Sequence, residues 1–216
     1  MIKYSKEIME RWGDIILKRK REWNFIQSVW YQLDWKTSEV RNLRDWFSEH
    51  LREMEKVPEF MQHVKLLSKI KKNDDRVVEA LRVIKNHVTY IPDQKVWGVK
   101  EKWQTPQLTW YKRTGDCEDG SLLLAALLHY CKIPPDQWEV RCGNVITGEG
   151  HCYIVYVSNE TGLEYALDWC YWYDDSYVAR RKFLMSDKRY GRPWFSFNNK
   201  ESWKHLKDPS RMFMEE

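Results

Sequence analysis

Seven consecutive apolar residues follow a short acidic segment near the middle of this 216-residue chain. The apolar run extends from Leu122 to Leu128, and the segment before it reads GDCED from Gly115 to Asp119. A helix with apolar side chains on every side has to be buried on every side. The sequence therefore predicts an enclosed central helix over 118–131, with a cysteine, Cys117, immediately before its first turn.

The overall composition is that of a compact globular protein. Hydrophobic residues make up 43% of the chain and aromatic residues 15%, which is enough to bury a sizeable core at this length. The net charge of +4 is too small to imply a polyanionic partner. No stretch approaches the roughly 18 apolar residues of a membrane span, and the N-terminal segment lacks the apolar core of a signal peptide. We therefore expect a cytoplasmic protein with no membrane partner.

Apolar residues recur at helical spacing through the first ninety residues. Four such stripes predict four helices, at 8–30, 40–54, 60–67 and 77–88. Pro58 suits the first turn of the third helix, and Asp74 or Asp75 suits the N-cap of the fourth. We divide the chain into a helical N-terminal region (1–74) and a core with an aromatic C-terminal segment (75–216), which together form one compact unit.

Three segments after the central helix alternate apolar and polar residues, which is the period of a β-strand. They are WEVRCGNV (138–145), HCYIVYV (151–157) and GLEYALDW (162–169). The four residues SNET between the last two segments are typical of a hairpin loop. The predicted fold class is therefore α+β, with the central helix packed on an antiparallel sheet.

The hairpin loop determines which residues face each other across the last two strands. If Val157 pairs with Gly162, His151 lies directly opposite Asp168. A register shifted by one residue would place Asp168 in the apolar face, where burial of an unpaired carboxylate costs on the order of several kcal/mol. The first register is therefore preferred, and it predicts that His151 and Asp168 meet.

Cys117 has three interpretations: a structural cysteine, a metal ligand or a catalytic nucleophile. The N-terminus of a helix stabilises a thiolate through its unpaired N–H groups and its dipole. The neighbouring acids Glu118 and Asp119 disfavour the thiolate because they add negative charge. These acids are therefore either partners of the helix N-terminus or metal ligands. The five cysteines include no C-x-x-C pair, so we expect free thiols.

Three motifs occur in a specific order: GDCED before an aliphatic helix, GHCYIVYV opening a strand, and LEYALDW ending the next strand. Together they resemble the transglutaminase-like core of papain-type thiol enzymes. The upstream segment YIPDQKVWGVKEKWQTPQLTWYKRTGDCED is similar to bacterial transglutaminase-like cysteine proteinases, which carry a Trp-x-Thr-Pro element shortly before Gly-Asp-Cys-Glu-Asp. The resemblance covers roughly 75–169 and implies a papain-like core with a catalytic helix on an antiparallel sheet.

The resemblance implies acyl-transfer chemistry by a Cys-His-Asp triad. Cys117 would be the nucleophile, His151 the general base and acid, and Asp168 the residue that holds the imidazole. The Cys117 N–H, with Trp103 or Gln104, would stabilise the oxyanion. The implied partner is a protein or peptide substrate. Hydrolysis of a peptide or isopeptide amide is favoured over crosslinking or deamidation.

The same resemblance gives the acids beside Cys117 a role. Some relatives depend on calcium, which is held by the acids that flank the cysteine. By that analogy Asp116, Glu118 and Asp119 would bind calcium, whose charge would offset their effect on the thiolate. The triad itself requires no cofactor.

Two further functions stay open at the level of sequence. One is an inactive transglutaminase-like scaffold or binding protein. The other is nucleic-acid binding by the basic run Lys18 to Arg21, with Trp12, Trp23 and Trp30 around it. A basic run of this kind is usually the solvated face of an amphipathic helix, and no groove-reading motif accompanies it. We therefore do not expect nucleic acid as a partner.

Overall fold

A computed structural model describes residues 40–99, 101–171 and 177–205. Three helices open the described chain: α1 (Val40–Leu51), α2 (Pro58–Leu67) and α3 (Asn73–His87), with a 3-10 turn over Arg52–Lys56. These bounds confirm the last three predicted helical stripes. The predicted helix at 8–30, with its basic run, lies outside the described residues.

The predicted cap of α3 is wrong. The helix begins at Asn73 with Lys72 at the N-cap position, and Asp74 lies in the first turn. The Asp74 carboxylate is buried and accepts hydrogen bonds from the Tyr156 hydroxyl at 2.7 Å and the Asn159 backbone N–H at 2.9 Å. It also accepts one from the Ser158 hydroxyl. Asp74 therefore connects α3 to the sheet instead of capping its own helix.

The aromatic segment between α3 and the central helix is folded. A short strand, β1 (Thr89–Tyr90), is followed by the helices α4 (Asp93–Val96) and α5 (Pro106–Lys112). A second short strand, β2 (Thr114–Gly115), pairs with β1 in parallel. This pairing sets the position at which the chain enters the central helix.

The central helix, α6, extends over Cys117–Tyr130. Its residues from Leu122 to Leu128 are completely buried, as their composition predicts. α3, α5 and strands of the main sheet all pack on it. No helix within the described ranges is both long enough and apolar enough to cross a lipid bilayer.

The main sheet has five antiparallel strands in the order β5-β4-β3-β6-β7. The strands are β3 (Trp138–Val145), β4 (Gly150–Val157), β5 (Glu164–Leu167), β6 (Tyr190–Phe197) and β7 (Ser202–Lys204). One face packs on α6. The other face carries a smaller apolar cluster around Tyr153, Val155 and Tyr190. The fold class is α+β, as predicted.

The predicted register between β4 and β5 is wrong by two residues. Val157 pairs with Glu164 instead of Gly162, so the connecting loop is longer than SNET. The loop is held by Asp74 and turns at Gly162, whose φ of +69° suits glycine. Because side chains alternate with a period of two, a shift of two residues keeps His151 and Asp168 on the same face of the sheet.

Candidate functional site

Cys117 is the first residue of α6 and is half-buried. Asp116 is the N-cap residue and forms a capping box with Asp119. The Asp119 carboxylate also accepts the Gln104 backbone N–H at 2.7 Å and the Gln104 side-chain amide. The loop before α5 is therefore fixed to the helix turn that presents the thiol.

His151 and Asp168 form the hydrogen-bonded pair of the site. His151 Nε2 lies 2.7 Å from Asp168 Oδ2, and Asp168 is completely buried. The same oxygen accepts the Tyr190 hydroxyl at 2.9 Å. The other oxygen, Oδ1, accepts the backbone N–H groups of Cys170 at 2.9 Å and Tyr171 at 3.3 Å. Four donors thus fix the carboxylate, which leaves Nδ1 of His151 as the ring nitrogen that is not bonded to Asp168.

The segment that carries Asp168 also contacts the start of α6. The indole N–H of Trp169 donates to the Cys117 carbonyl at 3.1 Å. The ring lies so close to Gly120 that a Cβ there would be 2.2 Å from Trp169 Cε2. Ser121 donates to the Cys152 carbonyl on β4 at 3.1 Å. These contacts place the first turn of α6 beside the strand that begins near His151.

The thiol of Cys117 has a carboxylate as its partner. Its Sγ lies 3.1 Å from Glu118 Oε2, to which it donates. Within the described residues, no hydrogen bond joins it to His151. Burial and the negative charge of Asp116 raise the pKa of the Cys117 thiol well above its ordinary value. The thiol is therefore protonated in this arrangement.

Five acids form a cluster next to the thiol, which we call the acidic cluster. Its members are Asp93, Glu101, Asp116, Glu118 and Asp119. One carboxylate oxygen each of Asp93, Asp116 and Glu118 is buried with no donor in reach among the described residues. Asp93, Asp116 and Asp119 offer oxygens within 4.8 Å of one another. A cation with oxygen ligands fits this donor set.

The acids of this cluster resist ionisation. Burial, followed by the charge of Asp116, raises the pKa of both Asp93 and Glu101 to about 7. Burial likewise raises the pKa of Asp116, and raises those of Glu118 and Asp119 well above their usual range. Near neutral pH the negative charge of the cluster is therefore offset either by bound protons or by a bound cation.

The two predicted oxyanion donors are engaged elsewhere. The side-chain amide of Gln104 donates to Asp119 and to the Thr114 carbonyl, and its backbone N–H donates to Asp119. The indole N–H of Trp103 donates to Glu101 at 3.2 Å. These bonds give both residues a role in holding the acidic cluster, and their part in oxyanion stabilisation stays a prediction.

Sequence reasoning missed four residues of this site. Asp93 and Glu101 belong to the acidic cluster, but they lie in the aromatic connection, where no periodicity marks them. Tyr190 reaches Asp168 from 22 positions along the chain. Trp169 is adjacent to Asp168, so its position next to a predicted site residue was the one available signal.

The fold has counterparts among solved structures. No family model matches the sequence, and no curated protein matches it either. LapG of Legionella pneumophila, a transglutaminase-like cysteine protease, superimposes with a TM-score of 0.53 at 16% identity, over 79% of this chain and 91% of LapG. Calcium-bound LapG superimposes with a TM-score of 0.53 at 16% identity, over 75% of this chain and 91% of LapG. EGTA-treated LapG superimposes with a TM-score of 0.54 at 16% identity, over 76% of this chain and 86% of LapG. The chain thus has a transglutaminase-like fold, as predicted.

Proposed function

We propose that this protein is a thiol-dependent acyl-transfer enzyme, a cysteine protease or amidase that cleaves a peptide or isopeptide amide. The observation that carries the proposal is the 2.7 Å hydrogen bond between His151 and the buried Asp168. The chain also has the fold of LapG, a cysteine protease. A protease of this kind acts on a protein or peptide substrate.

The proposed reaction uses Cys117 as the nucleophile. Nδ1 of His151 takes the thiol proton, and the thiolate attacks the amide carbonyl. The imidazolium then gives that proton to the leaving amine, and a thioester remains on Cys117. Water, deprotonated by His151, hydrolyses the thioester and restores the thiol. Asp168 binds the Nε2 proton throughout and so fixes the ring orientation.

The start of α6 is the proposed site of oxyanion stabilisation. The first N–H groups of a helix have no acceptor within the helix, and the Cys117 N–H is one of them. A donor at this position stabilises the negative oxygen that develops during attack. The indole of Trp169 holds the Cys117 carbonyl and thereby fixes the orientation of this turn.

We also propose that the acidic cluster binds Ca²⁺. Asp93, Asp116 and Glu118 would supply their oxygens that lack donors, and Asp119 lies close enough to take part. When bound, the ion would supply positive charge that offsets the carboxylates beside the thiol. The calcium-bound and EGTA-treated forms of LapG support calcium as the candidate ion. The predicted set of three acids is thereby extended by Asp93.

The first test is the pH dependence of iodoacetamide alkylation, followed by peptide mass mapping with CaCl₂ or with EGTA. The other four cysteines are internal controls. We expect Cys117 to react selectively in calcium, with an apparent pKa below the roughly 8.5 of a free thiol. His151→Ala should abolish this selectivity, and His129→Ala, at the far end of α6, should keep it.

Two alkylation results would contradict the proposed catalytic role of Cys117. If Cys117 reacts no faster than the other cysteines in calcium, or ignores the loss of His151, the catalytic proposal fails. The bond between the thiol and Glu118 would then describe the resting state of an inactive scaffold.

A further inference from the structure

We propose that His151, Asp168 and Cys170 form a second metal site, selective for a thiol-binding ion such as Zn²⁺, and that its occupation blocks the triad. Each of the three residues offers a ligand atom within 4.8 Å of the other two. Ligand atoms around tetrahedral zinc are about 3 to 4 Å apart. Small side-chain adjustments therefore bring all three into coordination.

The three ligand types define the class of metal. Imidazole, carboxylate and thiolate are the groups that bind zinc in proteins, whereas calcium takes oxygen ligands. The acidic cluster offers carboxylate oxygens, and the site at His151 offers nitrogen and sulfur as well. The two sites therefore discriminate between a hard ion and a softer ion by their ligands.

Hydrogen bonds already hold the carboxylate ligand in place. The Tyr190 hydroxyl and the backbone N–H groups of Cys170 and Tyr171 fix Asp168 independently of His151. Contacts of this kind orient metal ligands and strengthen metal binding. The bond from Cys170 N–H to Asp168 also keeps these two ligands in a fixed relation, because they are two residues apart on one turn.

The charge around the site favours a cation. Among the described residues, no Lys or Arg forms an ion pair with Asp168, Asp116 or Glu118. A doubly charged ion bound by one carboxylate, one thiolate and a neutral imidazole gives a neutral centre. Binding therefore reduces the net negative charge near Cys117.

Metal binding is balanced by proton movements. The ion takes the place of the proton between His151 Nε2 and Asp168 Oδ2. That proton moves to Nδ1 as the imidazole changes tautomer, and the Cys170 thiol releases one proton to solvent. With Nδ1 protonated and Nε2 bound to metal, His151 has no free nitrogen to accept the thiol proton. The ion would thus act as a reversible inhibitor.

Inhibition rests on the proposed function, but metal binding does not. The binding experiment is a titration of the full chain with CoCl₂ in calcium-containing buffer, since Co²⁺ reports thiolate ligation by a near-ultraviolet charge-transfer band. We expect one equivalent to bind and to be displaced by ZnCl₂. The band should be lost in Cys170→Ala and Cys170→Ser and kept in Cys131→Ala, whose thiol lies at the other end of α6.

Either of two results would overturn the proposed metal site at His151, Asp168 and Cys170. Absence of the band in the wild type, or its persistence in both Cys170 variants when these melt like the wild type, excludes Cys170 as a ligand. The Cys117→Ala variant should keep the band, because the nucleophile is not one of the three ligands.

The inhibition experiment measures Cys117 alkylation with and without ZnCl₂. We expect zinc to slow the wild-type reaction. An at least tenfold higher zinc concentration should be needed in Cys170→Ala, because even the loss of a group that only supports a ligand weakens metal binding about 10- to 100-fold. Equal inhibition in both proteins overturns the inhibitory role. If Cys117 shows no selective reactivity even without zinc, the proposed function fails while the cobalt titration still decides the metal site.

Discussion

The buried carboxylate of Asp168 and those of the acidic cluster differ in how their oxygens are satisfied by hydrogen bonds. Asp168 accepts four hydrogen bonds, two on each oxygen. In the acidic cluster, by contrast, Asp93, Asp116 and Glu118 each have a buried oxygen that no donor reaches within the described residues. One carboxylate is therefore stabilised by the fold itself, and the other group requires something from solution.

This difference separates two ways of using a buried charge. A carboxylate whose oxygens all have donors is held in one orientation and can orient an imidazole without help. Carboxylates that share a buried space with too few donors for their oxygens take up protons or bind a cation, because unpaired buried charge is strongly unfavourable. The first group is suited to orientation, and the second is suited to control by pH or by an ion.

The largest expected effect comes from replacing Asp168, the carboxylate that accepts four hydrogen bonds. Asp168→Asn keeps the shape of the side chain, but an amide cannot accept all four hydrogen bonds and its NH₂ group opposes the His151 Nε2 proton. We expect hydrolysis of a peptide substrate to fall about 10³- to 10⁴-fold, as measured by kcat/KM. Asp136→Asn, on the exposed surface, is the matched control and should have no effect.

The next largest effect is expected from pH and calcium, which act on the stability of the protein through the acidic cluster. The folded pKa of Asp93 and of Glu101 is about 7, against ordinary values of 3.8 and 4.5. Between pH 4 and 7 the folded chain therefore binds more protons than the unfolded chain. The free energy of unfolding should thus decrease as pH rises through this window in EGTA.

Calcium should restore this lost stability, because it binds the folded state. At pH 7 we expect Tm to rise by several °C on adding CaCl₂, since 1 kcal/mol corresponds to about 2–4 °C for a chain of this size. Asp93→Asn should weaken both the pH dependence in EGTA and the response to calcium. A pH-independent Tm in EGTA would contradict the assignment of these two acids.

A smaller effect is expected from removing one charge beside the thiol. Because the charge of Asp116 helps to raise the pKa of Cys117, Asp116→Asn should lower that pKa in EGTA. Alkylation of Cys117 at neutral pH should become several-fold faster than in the wild type. In calcium the two proteins should differ less in rate, and an unchanged rate in EGTA would show that the charge of Asp116 does not act on the thiol.

The smallest effect is expected from removing one of the four hydrogen-bond donors to Asp168. Tyr190→Phe deletes the hydroxyl that donates to Asp168 and leaves the ring in the apolar cluster with Tyr153. A single hydrogen bond contributes about 1 kcal/mol, so kcat/KM should fall by no more than about fivefold. A loss as large as that of Asp168→Asn would mean that Tyr190 has a direct part in the reaction.

The sequence predicts the helices and strands that carry this site better than it predicts the contacts between them. The apolar run predicts the fully buried helix α6. The alternation predicts the strand β3 but not its burial, because Glu139 and Arg141 on its polar face are buried as an ion pair. The pairing of His151 with Asp168 was also predicted, although from a register that is wrong by two residues. The error left the pair intact because a shift of two preserves the faces of the strands.

What the sequence does not predict depends on contacts between distant segments. Asp93 joins Asp116 only because β1 and β2 pair and bring their flanking loops together. Tyr190, the first residue of β6, reaches Asp168, which follows β5, although β4 and β3 lie between these two strands in the sheet. Neither position has a local pattern that differs from those of ordinary loop or strand residues.

The role of Asp74 has a consequence for where this protein can be divided. Asp74 is the last residue of the helical N-terminal region as we delimited it, yet its carboxylate binds the loop between β4 and β5. A fragment that starts at residue 75 would lack this anchor, and with it the group that favours the observed register of the strand pair. The shortest fragment designed to retain the His151 and Asp168 geometry should therefore begin upstream of α3.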